Sequence, residues 1–234
     1  MEQYVHCIAL VYSSVLVWSQ LYGSLPTYGG ATYVRWGRKT CSTGSKVIYS
    51  GETAGPHAGA KSGGTNYQCL PADPEYYITN TPSKAYQSTL RPMQYWVIDM
   101  PDLKHLQHLN VPCVACETNQ RVTMLMIPAM TRCPTSEWHL EYRGYLMSEI
   151  EHGGGKEGQD DLGKFALDTR SFTSYICVDK ESESLTPKPR PAEDLWGGGF
   201  LHPVEADCTG ENKLRSCPPY RGDNSALACV ACSK

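Results

Sequence analysis

The chain has 234 residues, 41% of them hydrophobic and 19% charged, with a formal net charge of −3, 11 Cys, 16 Pro and 21 Gly. That length suits one substantial domain or two small ones. Neither half carries a basic run, so there is no electrostatic case for nucleic acid or for an anionic membrane surface as partner.

Residues 8–18 (IALVYSSVLVW) form an uncharged apolar run, too short to span a bilayer, followed by the small Ser19 with Val17 two positions before it. Residues 1–19 therefore read as a signal peptide cleaved after Ser19. The run departs from the usual pattern in its first residues, where Glu2 is present and no Lys or Arg precedes the apolar core; a buried hydrophobic segment is the alternative. No later stretch is apolar enough for membrane insertion, so a secreted, extracellular product is expected.

Beyond the leader, residues 32–36, 46–49, 121–127 and 138–142 are short, rich in β-branched and aromatic side chains, and bounded by Gly and Pro clusters, which predicts strands. The best helical candidate, 102–109, sustains a 3.6-residue period for no more than two turns. The expected fold is mostly β. Gly51 and Gly144 each follow a Tyr at the end of a strand-like run, where positive φ or a missing Cβ is often wanted. Gly153-Gly154-Gly155 and Gly197-Gly198-Gly199 read as mobile loop tips, since no helix signal or Gly-Lys-Ser/Thr ending follows them. Tyr at 15 against Phe at 3 means many buried rings will carry a hydroxyl in need of a partner.

Cys7 falls inside the leader, leaving ten cysteines. An even set in a secreted chain is a disulfide framework. Two C-x-x-C units, Cys113 to Cys116 and Cys229 to Cys232, could hold a structural zinc, but 112 residues separate them, whereas zinc ribbons place such units about 15 to 20 residues apart.

The chain also repeats itself. The first half, 30–120, reads Cys41, Tyr49-Ser50-Gly51, Tyr67-Gln68-Cys69, Asp73 and Glu75, and closes on Cys113-Val114-Ala115-Cys116. The second half, 121–234, reads Cys133, Tyr142-Arg143-Gly144, Tyr175-Ile176-Cys177, Glu181 and Glu183, and closes on Cys229-Val230-Ala231-Cys232. The acidic pair stands four and six residues past the middle Cys in both halves. Duplicated, disulfide-rich β lobes related by a pseudo-twofold axis are expected, the two halves forming one compact unit.

These residues resemble a known family. Tyr33-Val34-Arg35-Trp36-Gly37-Arg38 with Cys41, Asn66-Tyr67-Gln68-Cys69-Leu70-Pro71 with Asp73-Pro74-Glu75, Glu141-Tyr142-Arg143-Gly144-Tyr145-Leu146-Met147 and Cys217-Pro218-Pro219-Tyr220 are similar to the non-collagenous tail domain of sponge short-chain collagens, over residues 30–234. A more distant likeness extends to the C-terminal non-collagenous domain of type IV collagen. This resemblance implies pairing of Cys41 with Cys116, Cys69 with Cys113, Cys133 with Cys232, Cys177 with Cys229 and Cys208 with Cys217, and a matrix or assembly role. The chain departs from its relatives in having no Gly-x-y run, so it cannot itself form a collagen triple helix. The first half also lacks the counterpart of the short Cys208 to Cys217 bridge, and no residue of the type IV inter-domain crosslink has a clear counterpart here.

No catalytic constellation emerges. The serines lack a nucleophile-elbow setting, the histidines show no metalloprotease spacing, and the cysteines of the mature chain are all taken by the implied bridges, so no enzyme is expected. His105 and His108 could share a metal if their segment were helical. The acidic, Gly-rich stretch 149–168, with Asp160 and Asp161, offers oxygen ligands for Ca²⁺, against a solvated insertion without an ion. Arg221-Gly222-Asp223 lies in a turn-like context where an integrin-type receptor could read it, against accidental occurrence. Trp138 reads as core, and Trp196 as an exposed stacking candidate. Two functions stay open: a secreted extracellular-matrix or assembly module without catalysis, binding matrix proteins or a second copy of itself in a homo-oligomer, and a calcium-dependent carbohydrate-binding protein (lectin) whose partners are glycans.

Overall fold

A computed structural model describes residues 29–56, 64–77, 88–149, 173–188, 198–211 and 213–234. The expected leader at 1–19, Cys7, Gly153-Gly154-Gly155, Asp160, Asp161 and Trp196 lie outside them.

Ten strands follow in chain order: β1 Thr32–Trp36, β2 Ser45–Gly55, β3 Gln68–Pro71, β4 Arg91–Tyr95, β5 Pro112–Thr118, β6 Met124–Pro128, β7 His139–Ser148, β8 Ile176–Asp179, β9 Gly199–Pro203 and β10 Ala228–Ser233. The fold is mostly β and rich in disulfides. The two Cys-Val-Ala-Cys segments become β5 and β10, each hydrogen-bonded on both sides and buried along nearly its whole length. A strand covered on both faces needs a run of small and β-branched side chains rather than alternation, and that is what these segments supply.

Strand pairing recurs from half to half. β5 lies between β1 and β2 as β10 lies between β6 and β7. β2 also pairs β3 and β4, as β7 pairs β8 and β9. The registers correspond: Gly51 faces Cys113 and Pro71, while Gly144 faces Cys229 and Asp179. Each long strand skips one residue against its central strand, Ile48 in β2 and Glu141 in β7, so the two β-bulges occupy equivalent places. The halves join through two parallel contacts, β1 with β8 and β4 with β9, making one ten-stranded sheet.

Gly51 and Gly144 are required because the chain passes too close for a side chain. A Cβ would stand 1.6 Å from the Leu70 carbonyl oxygen in one half and 1.7 Å from that of Val178 in the other. The main core gathers Met93, Tyr95, Val97, Leu103, Val111, Met147, Val178 and Leu201 from both halves. As the excess of Tyr over Phe demands, its buried hydroxyl is satisfied: Tyr95 donates to the Glu183 carbonyl at 2.8 Å.

Three expectations are corrected. The 102–109 segment forms a single 3-10 turn, Lys104–Leu106, because Leu103, Leu106 and Leu109 turn inward with a period of three. Trp138 is half-buried just before β7, its N–H bonded back to the Thr135 carbonyl, so it is not core. Gly198 and Gly199 are buried, the first a bend just before β9 and the second its opening residue, rather than a mobile loop. A Cβ would meet the Pro92 carbonyl oxygen at 2.4 Å from Gly198 and the Pro56 carbonyl oxygen at 2.7 Å from Gly199.

Five disulfides staple the chain: Cys41–Cys116, Cys69–Cys113, Cys133–Cys232, Cys177–Cys229 and Cys208–Cys217, the pairs that the resemblance implies. Each C-x-x-C sends its two sulfurs to different segments, one across β2 or β7 to the strand beyond it (Cys69 in β3, Cys177 in β8) and one to the loop before β2 or β7. In the chain-entropy estimate, closing a loop of 52 residues stabilises by about 4 kcal/mol and a loop of 9 by less than about 3. Removing Cys177–Cys229 as a Ser pair is therefore expected to lower the thermal midpoint and the secreted yield more than removing Cys208–Cys217, as read by calorimetry and by titre in the medium.

Candidate functional site

The junction of β1 with β8 carries an unusual concentration of buried charge. Arg35 on β1 reaches Asp179 on β8, with Nη2 at 2.6 Å and Nε at 2.7 Å from Oδ2. Its guanidinium carbon lies 5.6 Å from the centre of the Tyr142 ring, and its Nη1 donates to the Thr40 carbonyl at 3.1 Å. Tyr142 is fully enclosed and gives its hydroxyl proton to the Cys177 carbonyl at 3.0 Å. Burial first, and the Asp179 charge second, push its phenol well above the ordinary value. Asp179 completes its own site by accepting the Glu181 N–H at 2.8 Å.

Beside this pair stands Glu141, the extra residue of the β7 bulge. Its carboxylate accepts from Tyr33 at 2.9 Å, Ser45 at 3.0 Å, Ser233 at 2.5 Å and Arg121 at 2.9 Å. Tyr33 and Ser45 belong to the first half, while Ser42 of that half donates to the Glu141 carbonyl. Burial alone would raise this carboxyl, but the four donors outweigh it and hold the group below the usual carboxylate range. A rim contact completes the junction: Arg38 sits 2.9 Å from Glu183 and donates to the Glu181 carbonyl, and the Glu183 N–H bonds to the Gly37 carbonyl.

The repeat supplies a second version of each half-junction, left on the surface. Aligned by register, β6 stands where β1 does and β3 where β8 does, but β6 pairs only β10 and β3 pairs only β2 among the described residues. The residues that carry charge or hydroxyls inside are replaced there by apolar ones. Leu125 stands for Tyr33, Ile127 for Arg35, Met130 for Arg38, Ile48 for Glu141 and Pro71 for Asp179. Ile48 is 52% exposed and Leu125 40%, with Val47, Tyr49, Leu70, Met126 and Met130 also exposed beside them. The left-handed turn after the strand recurs as well, at Gly37 (φ 85°) and Ala129 (φ 58°). Pro128, in the place of Trp36, has no N–H to offer and keeps any contact there to side chains and carbonyls.

The other sequence candidates are placed less productively. Arg221 and Asp223 are exposed, yet they turn toward each other, Nε to Oδ2 at 3.8 Å, and Asp223 also accepts from Ser225. His105 is exposed and His108 lies beyond the 3-10 turn with φ at 63°, packed edge-on against Trp96 at 5.0 Å, so the two do not form a helical ligand pair. Of the acidic 149–168 stretch only Glu149 is described. Its carboxylate accepts the Phe200 N–H at 3.2 Å, and burial, partly offset by that bond, raises it to about 7. Among the described residues no three His, Cys, Asp or Glu side chains cluster as a metal site, and no helix is long and apolar enough to cross a membrane.

Sequence reasoning missed Glu141, Arg35 and Asp179 as the junction. One further buried polar pair escaped it: Gln94 on β4 bridges to Asn110 just before β5, Gln94 wholly buried, with Asn110 donating to Glu52 at 2.6 Å. No family model matches the chain.

The two shifted carboxyls give opposite pH signatures. Glu141 is depressed in the folded state, so its contribution is present above the unfolded carboxylate value and lost as pH falls through the folded one. Glu149 is raised from 4.5 to about 7, so its contribution is full below 4.5 and is lost as pH rises through 7. Denaturant titrations of Glu149→Gln should flatten the loss of stability between those limits, on the order of 3 kcal/mol, and leave the acid limb unchanged.

Proposed function

We propose that the protein is an extracellular, disulfide-stapled module without catalytic activity that self-associates head to tail, as an assembly unit of the kind the collagen tail-domain resemblance implies. The observation that carries this reading is the unused copy of the inter-half junction. Among the described residues each chain makes the β1–β8 contact once and leaves the halves of its counterpart, β6 and β3, without that contact. Five disulfides belong to an oxidising compartment, which supports the extracellular setting.

The occupant of the two surfaces is a second copy because their complement is already built into the chain. Inside, Tyr33 touches Glu141; between chains, Leu125 meets Ile48, and the Glu75 N–H takes the place of that of Glu183 at the Ala129 carbonyl. Exchanging buried ion pairs for apolar contacts avoids the desolvation cost of charges, and covering one half-exposed Leu or Ile contributes about 1 kcal/mol. Such an interface uses different surfaces on the two partners, so it closes a ring or grows a filament according to its rotation. The calcium-dependent lectin reading has no described residue to carry it: Glu149 spends its carboxylate on the Phe200 N–H, and Asp160 and Asp161 lie outside the described residues.

Light scattering on the disulfide-intact protein across concentration tests the proposal. Wild type is expected to associate, and Ile48→Lys and Leu125→Asp are each expected to weaken association about tenfold or more. An equimolar mixture of the two variants is expected to recover it, because the ammonium introduced on one chain then faces the carboxylate introduced on its neighbour. A wild type that stays monomeric at high concentration and binds no matrix component overturns the reading, as does failure of the mixture to recover.

A further inference from the structure

Two tyrosines in the chain directly follow a glutamate, and the fold treats them oppositely. Tyr142, after Glu141, is buried with its hydroxyl committed to the Cys177 carbonyl. Tyr76, after Glu75, is 75% exposed, and Tyr77 beside it is wholly exposed. Both lie past the end of β3 in a stretch, 72–77, with no helix or strand, where Asp73, Pro74 and Glu75 are exposed too. The equivalent acidic pair of the second half, Glu181 and Glu183, is engaged by Arg38 through a backbone carbonyl and a side chain; among the described residues no ion pair engages Asp73 or Glu75.

We propose that Tyr76, with Tyr77 as a second acceptor, is a site of tyrosine O-sulfation. The phenol is accessible, the segment is free of sheet pairing and can lie extended in an enzyme cleft, and the two carboxylates offer a basic transferase the charge by which it draws in its substrate. In the step, the Tyr76 Oη attacks the sulfur of a nucleotide phosphosulfate donor. An Oη–S bond forms, the bond from sulfur to the bridging oxygen breaks, that oxygen leaves with the electron pair as a phosphate monoester, and the phenolic proton passes to a base of the transferase. The product is a sulfate ester that stays ionised at all physiological pH, adding a permanent charge beside Asp73 and Glu75. Tyr175 is the internal control: it is 60% exposed but follows Ser174, and its nearest acidic neighbour in sequence is Asp179, four positions on.

The proposal rests on the extracellular reading, because sulfuryl transfer to tyrosine belongs to the secretory route. Its test does not. The purified, disulfide-intact protein, diluted until light scattering finds it monomeric, is incubated with a tyrosylprotein sulfotransferase and a radiolabelled phosphosulfate donor, then digested and sequenced by mass spectrometry. Label is expected on the peptide carrying Tyr76 and Tyr77, to vanish in Tyr76→Phe/Tyr77→Phe, and to fall about tenfold in Glu75→Gln, the loss of one charge-assisted contact. No label on that peptide, equal label on Tyr175, or transfer indifferent to Glu75→Gln overturns the proposal, and none of these outcomes bears on whether the chain is secreted.

Discussion

The carboxylate of Glu141 is the point on which the two halves depend. A bulge inserts it as an extra residue of β7, and four donors from four separate segments converge on its two oxygens. A buried charge is tolerable only when its lone pairs are filled, and here they are filled partly from across the junction. The adjoining Arg35–Asp179 pair obeys the same rule, with the Tyr142 ring against the guanidinium and backbone groups taking the remaining donors and acceptors. Removing Asp179 leaves Arg35 largely buried without its counter-charge, and removing Glu141 leaves three hydroxyl donors without their acceptor, so these groups specify one way of bringing the halves together more than they add net stability.

The same topological positions carry opposite chemistry in the two places. Inside, the slots hold Tyr, Arg and Glu, which demand a particular partner in a particular orientation. Outside, they hold Leu, Ile and Ile, which tolerate exposure in water and gain from being covered. The proline at 128 and the short β3 keep the surface copies from behaving as open templates for any passing strand.

Much of the architecture was legible because punctuation survives duplication. The order of Cys, Tyr-x-Gly, Cys, acidic pair and Cys-Val-Ala-Cys marks the same strands in both halves, and Gly51 and Gly144 mark the close passages. The junction was not legible. Strict alternation from Tyr142 would turn Glu141 outward, and only the bulge puts both inside, a change no local residue announces. Arg35 looks like any strand arginine until β8, 144 positions away, delivers Asp179. Trp138 misled because a β-like run was read as continuing one residue beyond where β7 starts, and Gly198 and Gly199 misled because close backbone passage and loop flexibility call for the same residue.

Among the described residues every bridge closes within its own half: the sulfurs of residues 41, 69, 113 and 116 pair among themselves, and so do those of 133, 177, 208, 217, 229 and 232. Only the peptide chain near residue 120 ties one half covalently to the other. The molecule is therefore a pair of welded boxes on a single cord, and a protease that severs the cord leaves two intact pieces held by noncovalent packing and polar bonds alone.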